Sequence, residues 1–153
     1  MNKYMQIAKE MADKGIKAKE GGPFGAIIVD KEGNIIAKGN NKVILENDPT
    51  AHAEVTAIRE ACEKLNTYDL SNYILYTSCE PCPMCLSAII WANIKEVYFG
   101  CTKEDAAGIG FRDEAIYDYI KGKNNNLINL KQMDREECIK TFNEYKKNNG
   151  MIY

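Results

Sequence analysis

The hydrophobic positions of this chain recur with two periods, and the alternation between them predicts where helices and strands lie. Over residues 3–18, apolar side chains follow one another at intervals of three and four, as on one face of a helix. The short apolar run from 24 to 30 predicts a strand, and the turn at 31–34 leads into a second strand over 35–39. These two strands are expected to form a hairpin.

The remaining elements continue as an alternation of strand and helix. Asp48 and Pro49 predict the N-cap and the first residue of a helix. The expected inner face of this helix carries Val55, Ile58, Ala61, Cys62 and Leu65. Farther on, the same patterns predict strands at 73–77, 96–100 and 127–130, and helices at 82–92, 113–120 and 134–147. The order predicts one domain, 1–153: a three-layer α/β/α sandwich around a mixed five-stranded sheet.

The balance of charges narrows the class of partner. Twenty Lys and Arg against 22 Asp and Glu give a net charge of −2. Proteins that bind nucleic-acid phosphates usually carry a basic excess or a basic stripe. The lysines near the C-terminus are interleaved with acidic residues, and no apolar run approaches membrane-spanning length. We therefore expect a small-molecule substrate, and neither a nucleic-acid nor a membrane partner.

Six cysteines are present, and the N-terminal residues form an amphipathic, lysine-containing pattern rather than a secretory signal. This combination favours a reducing, cytoplasmic compartment, where paired cysteines usually bind metal or take part in chemistry. Cys62, Cys101 and Cys138 stand alone and are expected to be small, buried apolar residues.

The single histidine, His52, is the strongest candidate for chemistry. Cys82 and Cys85 follow it as a Cys-x-x-Cys pair preceded by Pro81, which suits a helix start. One imidazole and two thiolates form a ligand set that holds zinc with a fourth position open. We expect one zinc ion between two helix N-termini, where unpaired N–H groups favour thiolates. The alternatives are a buried histidine with inert cysteines, or a closed structural site completed by Cys79.

Glu54 lies two residues after His52 and could move protons at the open position. On an ideal helix, positions i and i+2 point about 200° apart, so helical spacing alone does not bring Glu54 to the metal of His52. A carboxylate in the first turn could also simply complement the helix dipole. Catalysis is the preferred interpretation, and it depends on the paired motif.

The sequence His52-Ala-Glu54 followed by Pro81-Cys-Pro-Met-Cys85 is the signature of zinc-dependent base deaminases. From Phe24 to Tyr117 the chain resembles the cytidine deaminase-like zinc enzymes, and within them the short bacterial guanine deaminases. The resemblance is carried by residues 21–26, 47–59 and 74–86, and is extended by Trp91-Ala92, Asp105-Ala-Ala, Gly110-Phe111 and Ile116-Tyr117. The chain departs from the pattern at Arg112 and over 121–131.

This resemblance implies a hydrolase that converts guanine and water to xanthine and ammonia, with Glu54 as the general acid and base. It also implies that Asn41 reads the base through an amide donor and acceptor, that Phe24 lines the pocket, and that Asp113 contacts the substrate or relays protons. Phe24 could instead be core, and Asp113 could be the N-cap of the following helix.

The resemblance further implies a domain-swapped homodimer, in which the C-terminal tail, 149–153, closes the pocket of the partner with Tyr153 over the substrate. The alternative is a frayed terminus. Other enzymes with the same zinc residues remain open: a deaminase of tRNA adenosine, or of cytosine or cytidine. A zinc-stabilised interaction module without catalysis is the alternative outside enzymes.

Overall fold

The computed structural model describes residues 1–153 as seven helices and four strands. In chain order they are α1 (Lys3–Lys17), β1 (Gly25–Asp30), β2 (Ile35–Asn40), α2 (Val43–Glu46), α3 (Ala53–Leu65), β3 (Tyr73–Cys79), α4 (Pro83–Trp91), β4 (Glu96–Cys101), α5 (Lys103–Gly108), α6 (Asp113–Ile120) and α7 (Arg135–Lys147).

The sheet is mixed, with strand order β2-β1-β3-β4. Strand β1 runs antiparallel to β2 and to β3, whereas β3 and β4 are parallel. The predicted hairpin is therefore confirmed. The parallel pair needs a crossover, which α4 provides, so the carboxyl ends of β3 and β4 lie at the same edge of the sheet.

Helices cover both faces of the sheet, which gives the three predicted layers. On one face Ala26, Ile28 and Leu75 join the core cluster with residues of α3 and α4. On the other face α1 approaches so closely that a Cβ at Gly25 would collide with the backbone of Ala8. Successive side chains of β1 point to opposite faces of the sheet, so they pack alternately against α1 and α3.

The prediction of a fifth strand over 127–130 is wrong, since the sheet has four strands. Leu127 and Ile128 instead border a surface groove beside Ile116 and Ile120 of α6. The segment is short and follows a polar stretch, and contact with α6 partly covers its apolar side chains. The outer edge of β4 consequently has no neighbouring strand.

The predicted helix start at Asp48 and Pro49 is also wrong. The Asp48 carboxylate accepts hydrogen bonds from the Thr50 backbone N–H (2.8 Å) and the Thr50 hydroxyl (2.7 Å). These bonds close a turn in place of a helix cap. The helix begins five residues after Asp48, at Ala53, with His52 as its N-cap.

The short helices and the isolated cysteines differ from the expectations. Helices α2 and α5 were not predicted, and α5 begins with a capping box between Thr102 and Asp105. The isolated cysteines are not buried: Cys101 and Cys138 are exposed, and Cys62 is half-buried. No helix has the length and apolar character needed to cross a membrane.

Residues 121–153, here called the C-terminal arm, extend from the rest of the domain. Its helix α7 has no buried residue, and Phe142 is 72% exposed. At its end, the Tyr153 ring lies 5.9 Å from the ring of Trp91 and 6.1 Å from that of Tyr68. The arm therefore presents apolar side chains that its own domain leaves uncovered.

Candidate active site

Two helix N-termini meet at the carboxyl edge of the sheet. His52 is the N-cap of α3 and Cys82 is the N-cap of α4, both in extended backbone conformation. Neither side chain caps its own helix, so both are free to bind something else. Pro83, rather than Pro81, occupies the first turn of α4 and leaves Cys85 as its third residue.

The distances within this group fit a tetrahedral zinc ion. His52 Nδ1 lies 3.5 Å from Cys82 Sγ and 3.5 Å from Cys85 Sγ. Zinc bonds of about 2.3 Å to sulfur and about 2.0–2.1 Å to nitrogen place tetrahedral N and S ligands roughly 3.5 Å apart. One imidazole and two thiols within 4.8 Å of one another thus form a set that zinc favours. Nδ1 is the nitrogen that faces the sulfur atoms.

The two alternatives to an open metal site do not match this arrangement. Cys79 lies outside the group, and its thiol donates to Thr102 O at 3.6 Å. Burial raises the pKa of the Cys79 thiol to about 12, so it is a poor source of thiolate. A core histidine would pair with fixed polar groups, whereas the polar groups beside Nδ1 are the two thiols.

The two cysteines of the group differ in acidity. The Cys85 thiol hydrogen-bonds to Cys82 and, together with His52, lowers the pKa of Cys82 to about 4. The same hydrogen bond is the main cause that raises the pKa of Cys85, and burial is the second cause. The hydrogen bond between the two sulfurs therefore favours the thiolate form of Cys82, the form that binds a cation.

Glu54 is buried beside these ligands. Its Oε1 accepts a hydrogen bond of 2.9 Å from the Thr77 hydroxyl, and its carboxyl is within hydrogen-bonding reach of Cys85. His52 is the N-cap of α3 and has an extended backbone, so the angle between ideal helical positions does not apply to it. The side chains of His52 and Glu54 therefore both reach the same pocket. Burial raises the pKa of Glu54 above its usual value.

A pocket of about 340 Å³ opens above the metal group. Its walls bring together residues from the loops after α1, β2 and β3 and from the region before α6. The predicted site residues that line it are Phe24, Asn41, His52, Glu54, Cys82 and Asp113. Cys85 lies at the base of the pocket through its contact with His52.

Asn41 is buried, and the backbone fixes the orientation of its amide. Its Oδ1 accepts from Gly22 N (3.3 Å) and from Val43 N (3.1 Å). The amide nitrogen Nδ2 makes no hydrogen bond within the protein and remains a donor toward the pocket. Gly21 packs so tightly on Asn41 that a Cβ there would collide with this side chain.

Phe24 and Asp113 both line the pocket. The Phe24 ring meets Phe111 edge to face at 4.9 Å and also packs against the core, so the two interpretations of Phe24 both describe it. Asp113 is the first residue of α6 and not its N-cap, which is Arg112. Burial raises the pKa of Asp113, and the nearby Cys82 raises it further.

Tyr153 is absent from the pocket of its own chain, because its contacts with Trp91 and Tyr68 lie at the other end of α3 and α4. Several residues of the site were given no role from the sequence, among them Thr77, Glu80, Phe111 and Arg112. Glu80 stands within the motif itself and accepts a hydrogen bond of 2.9 Å from Lys103 N. No signal in the sequence links Thr77 to Glu54.

Three protein ligands for zinc with a buried carboxylate beside them define a zinc-dependent hydrolytic enzyme. The sequence model of the cytidine and deoxycytidylate deaminase zinc-binding region matches residues 1–101, which include the three candidate ligands. The chain belongs to this deaminase family, whose members bind zinc.

Individual relatives agree with this assignment. The chain is 49% identical to a guanine deaminase of Bacillus subtilis over 94% of its own length and 92% of the relative's. It is 40% identical to a tRNA-specific adenosine deaminase of Haemophilus influenzae, covering 89% and 77%. The X-ray structure of the Bacillus subtilis guanine deaminase superposes with a TM-score of 0.88 at 47% identity, covering 96% of this chain and 95% of that one.

Proposed function

We propose that the protein hydrolyses free guanine to xanthine and ammonia, with one zinc ion held by His52, Cys82 and Cys85. The observation that carries the proposal is the placement of Glu54 beside this three-ligand group at the base of a closed-ended pocket. The near full-length similarity to a guanine deaminase supports guanine as the base. Zinc, when bound, supplies a Lewis acid that lowers the pKa of water and provides a nucleophile near neutral pH.

Glu54 carries the protons of the reaction. It takes the first proton of the attacking water and delivers it to a ring nitrogen next to C2. It then transfers the second proton to the departing amine, which leaves as ammonia while C2 keeps the oxygen. Burial raises the pKa of Glu54 above that of a solvated carboxyl, and a raised pKa suits a group that both accepts and returns protons.

Asn41 binds the base through a single donor. Since its Oδ1 already accepts two backbone hydrogen bonds, Nδ2 is the atom left for the substrate. This refines the donor and acceptor pair expected from the sequence: Nδ2 would donate to O6 or N7 of guanine. Asp113, which also lines the pocket, accepts from a ring N–H or returns a proton to it, and Phe24 packs on the face of the base.

The charge of the pocket favours a free base over a nucleotide. Glu54, Glu80 and Asp113 line it, against one guanidinium, that of Arg112. A phosphate placed there would meet an excess of carboxylates. The excess of carboxylates in the pocket disfavours a tRNA substrate, although tRNA-specific adenosine deaminases are also among the relatives.

We further propose a homodimer in which the C-terminal arm of each chain packs on the other. The arm carries uncovered apolar side chains, and β4 offers an unpaired edge where Phe99 is 48% exposed. Each chain carries both the apolar arm and the open edge of β4. In a two-fold symmetric dimer, each copy would cover both surfaces of the other. The tail, 149–153, does not reach its own pocket, so Tyr153 would close the pocket of the partner.

A reducing, cytoplasmic compartment is part of the same proposal. All six cysteines are free, and two of them must remain reduced to bind zinc.

The substrate is tested by offering purified, zinc-loaded protein guanine, adenine, cytosine, guanosine and a tRNA anticodon stem, and by measuring the ammonia released. We expect release from guanine alone among these. Conversion of the anticodon stem with no release from guanine would refute the substrate while leaving the zinc assignment intact.

The swapped tail is tested by complementation between two inactive variants. One is Glu54→Gln with its tail intact, and the other lacks 151–153 but keeps Glu54. If the tail acts on the partner, mixing and refolding the two restores activity in the heterodimer, because one site then has both Glu54 and a tail. If the tail acts on its own chain, the mixture stays inactive.

A further inference from the structure

Thr77 is the one buried side chain that carries a hydroxyl, and this hydroxyl contacts the Glu54 carboxylate. It belongs to β3 and is fully buried on the sheet face that packs against α3. Its Oγ1 lies 2.9 Å from Glu54 Oε1 and 3.1 Å from Cys79 O. Its neighbours on the same face of the sheet, Leu75 and Ala26, are apolar.

Packing alone does not account for a hydroxyl at this position. Valine has nearly the same shape as threonine and would leave no buried polar atom to satisfy. The hydroxyl has one proton, and two acceptors lie within reach of it, Glu54 Oε1 and Cys79 O. It can therefore always donate a hydrogen bond to one of the two. The Glu54 carboxylate is buried, so the Thr77 hydroxyl is one of its few hydrogen-bond donors, beside the Cys85 thiol.

The contact also determines which carboxyl oxygen of Glu54 is available. Thr77 binds Oε1, so the second oxygen remains for the proton that moves during the reaction. A hydroxyl donates and accepts, and Cys79 O offers an alternative place for its proton. Thr77 can therefore stay hydrogen-bonded to Glu54 both before and after Glu54 has taken up a proton, and the carboxyl need not rotate.

We propose that Thr77 is the positioning residue of Glu54: its hydroxyl holds the carboxyl in one orientation, with Oε1 toward β3 and the other oxygen toward the substrate. This inference rests on the proposed role of Glu54 as acid and base. It adds a residue, 23 positions away in sequence, on which proton transfer depends but substrate binding does not.

The test compares Thr77→Val, which keeps the shape and removes the hydroxyl, with Thr77→Ser, which keeps the hydroxyl. Hydrogen bonds to charged groups are strong enough that we expect kcat to fall about 10- to 100-fold in Thr77→Val, with KM unchanged. Thr77→Ser should restore kcat to within about threefold of the wild type. A crystal structure of Thr77→Val should show the Glu54 carboxyl rotated away from β3.

Ser78→Ala is the matched control. Ser78 lies next to Thr77 on the opposite face of β3, where its Oγ accepts from Gly25 N at 3.0 Å. This change removes a hydroxyl from the same strand end without touching Glu54, so kcat should stay at the wild-type value. Zinc content and thermal midpoint are measured for every variant.

Three results would overturn the proposal: wild-type kcat in Thr77→Val, equal losses in Thr77→Val and Thr77→Ser, or loss of zinc or fold in Thr77→Val alone. Equal losses would assign Thr77 to packing, and a loss of zinc or fold in Thr77→Val alone would assign its hydroxyl to the stability of the protein. If the wild type converts a base other than guanine, the proposed substrate fails, and the same comparison is made on that base. The two failures are thus distinguishable.

Discussion

Cys79 and Cys82 offer a direct test of the open metal site, because they are two buried cysteines three positions apart with different neighbours. Cys82 contacts His52 Nδ1, whereas Cys79 contacts Thr102 O. Replacing Cys82 by alanine removes one of three ligands. Replacing Cys79 by alanine removes a side chain of the same size and leaves the ligand group complete.

The size of the effect follows from linkage. An ion present at about a hundred times its dissociation constant stabilises the folded state by about 2.7 kcal/mol. A chain of 153 residues unfolds with an entropy of roughly 0.3 kcal/mol/K near its midpoint. Loss of the ion should therefore lower the midpoint by about 8 °C.

The assay is thermal unfolding with and without a chelator, combined with zinc analysis. Wild type and Cys79→Ala should contain one zinc per chain and lose about 8 °C when the chelator is added. Cys82→Ala should start at the lower midpoint and show no response. If Cys79→Ala lost its zinc, four protein ligands would saturate the ion, and the hydrolytic mechanism would be refuted.

Three further predictions concern the pocket and the arm. Glu54→Gln should keep its zinc but lose at least about 10²- to 10⁴-fold in ammonia release, and retained turnover would contradict its role as acid and base. Asn41→Ala should raise KM by about tenfold or more and lower the thermal midpoint, because it removes the substrate donor and unpairs two buried backbone N–H groups. Phe142→Glu should shift the protein toward monomer in sedimentation velocity at micromolar concentration, and an unchanged dimer would show that α7 lies outside the interface.

The sequence was sufficient to predict the metal group, because its ligands form a recognisable set of one histidine and a Cys-x-x-Cys pair. Cys82 and Cys85 lie within one helical turn, and the chain has a single histidine to join them. The hairpin was also predicted correctly, since β1 is a short apolar run and a turn separates it from β2. The cysteine pair and the hairpin each depend on residues that are near one another in the chain.

The features that sequence analysis missed depend on contacts across the fold. Histidine is a poor N-cap by propensity, yet α3 begins after His52 because the Asp48 carboxylate is occupied by Thr50. The inner face of α3 includes Ile58, Ala61, Cys62 and Leu65, as predicted, but not Val55. It also includes Ala53, Glu54 and Ala57, which were not predicted. Small residues let the helix rest on the sheet near Gly39, and a hydrophobicity pattern does not reveal such close approach.

The residues that line the pocket all fall between Gly21 and Asp113, and the C-terminal arm supplies none of them within its own chain. The catalytic chemistry and the arm are therefore encoded by consecutive, separable stretches of the gene. A chimera that joins residues 1–120 to the arm of another deaminase would keep the zinc site and exchange the arm that we propose closes the partner's pocket. Recombination at this single junction offers evolution, or protein engineering, a route to new substrate ranges without altering the metal chemistry.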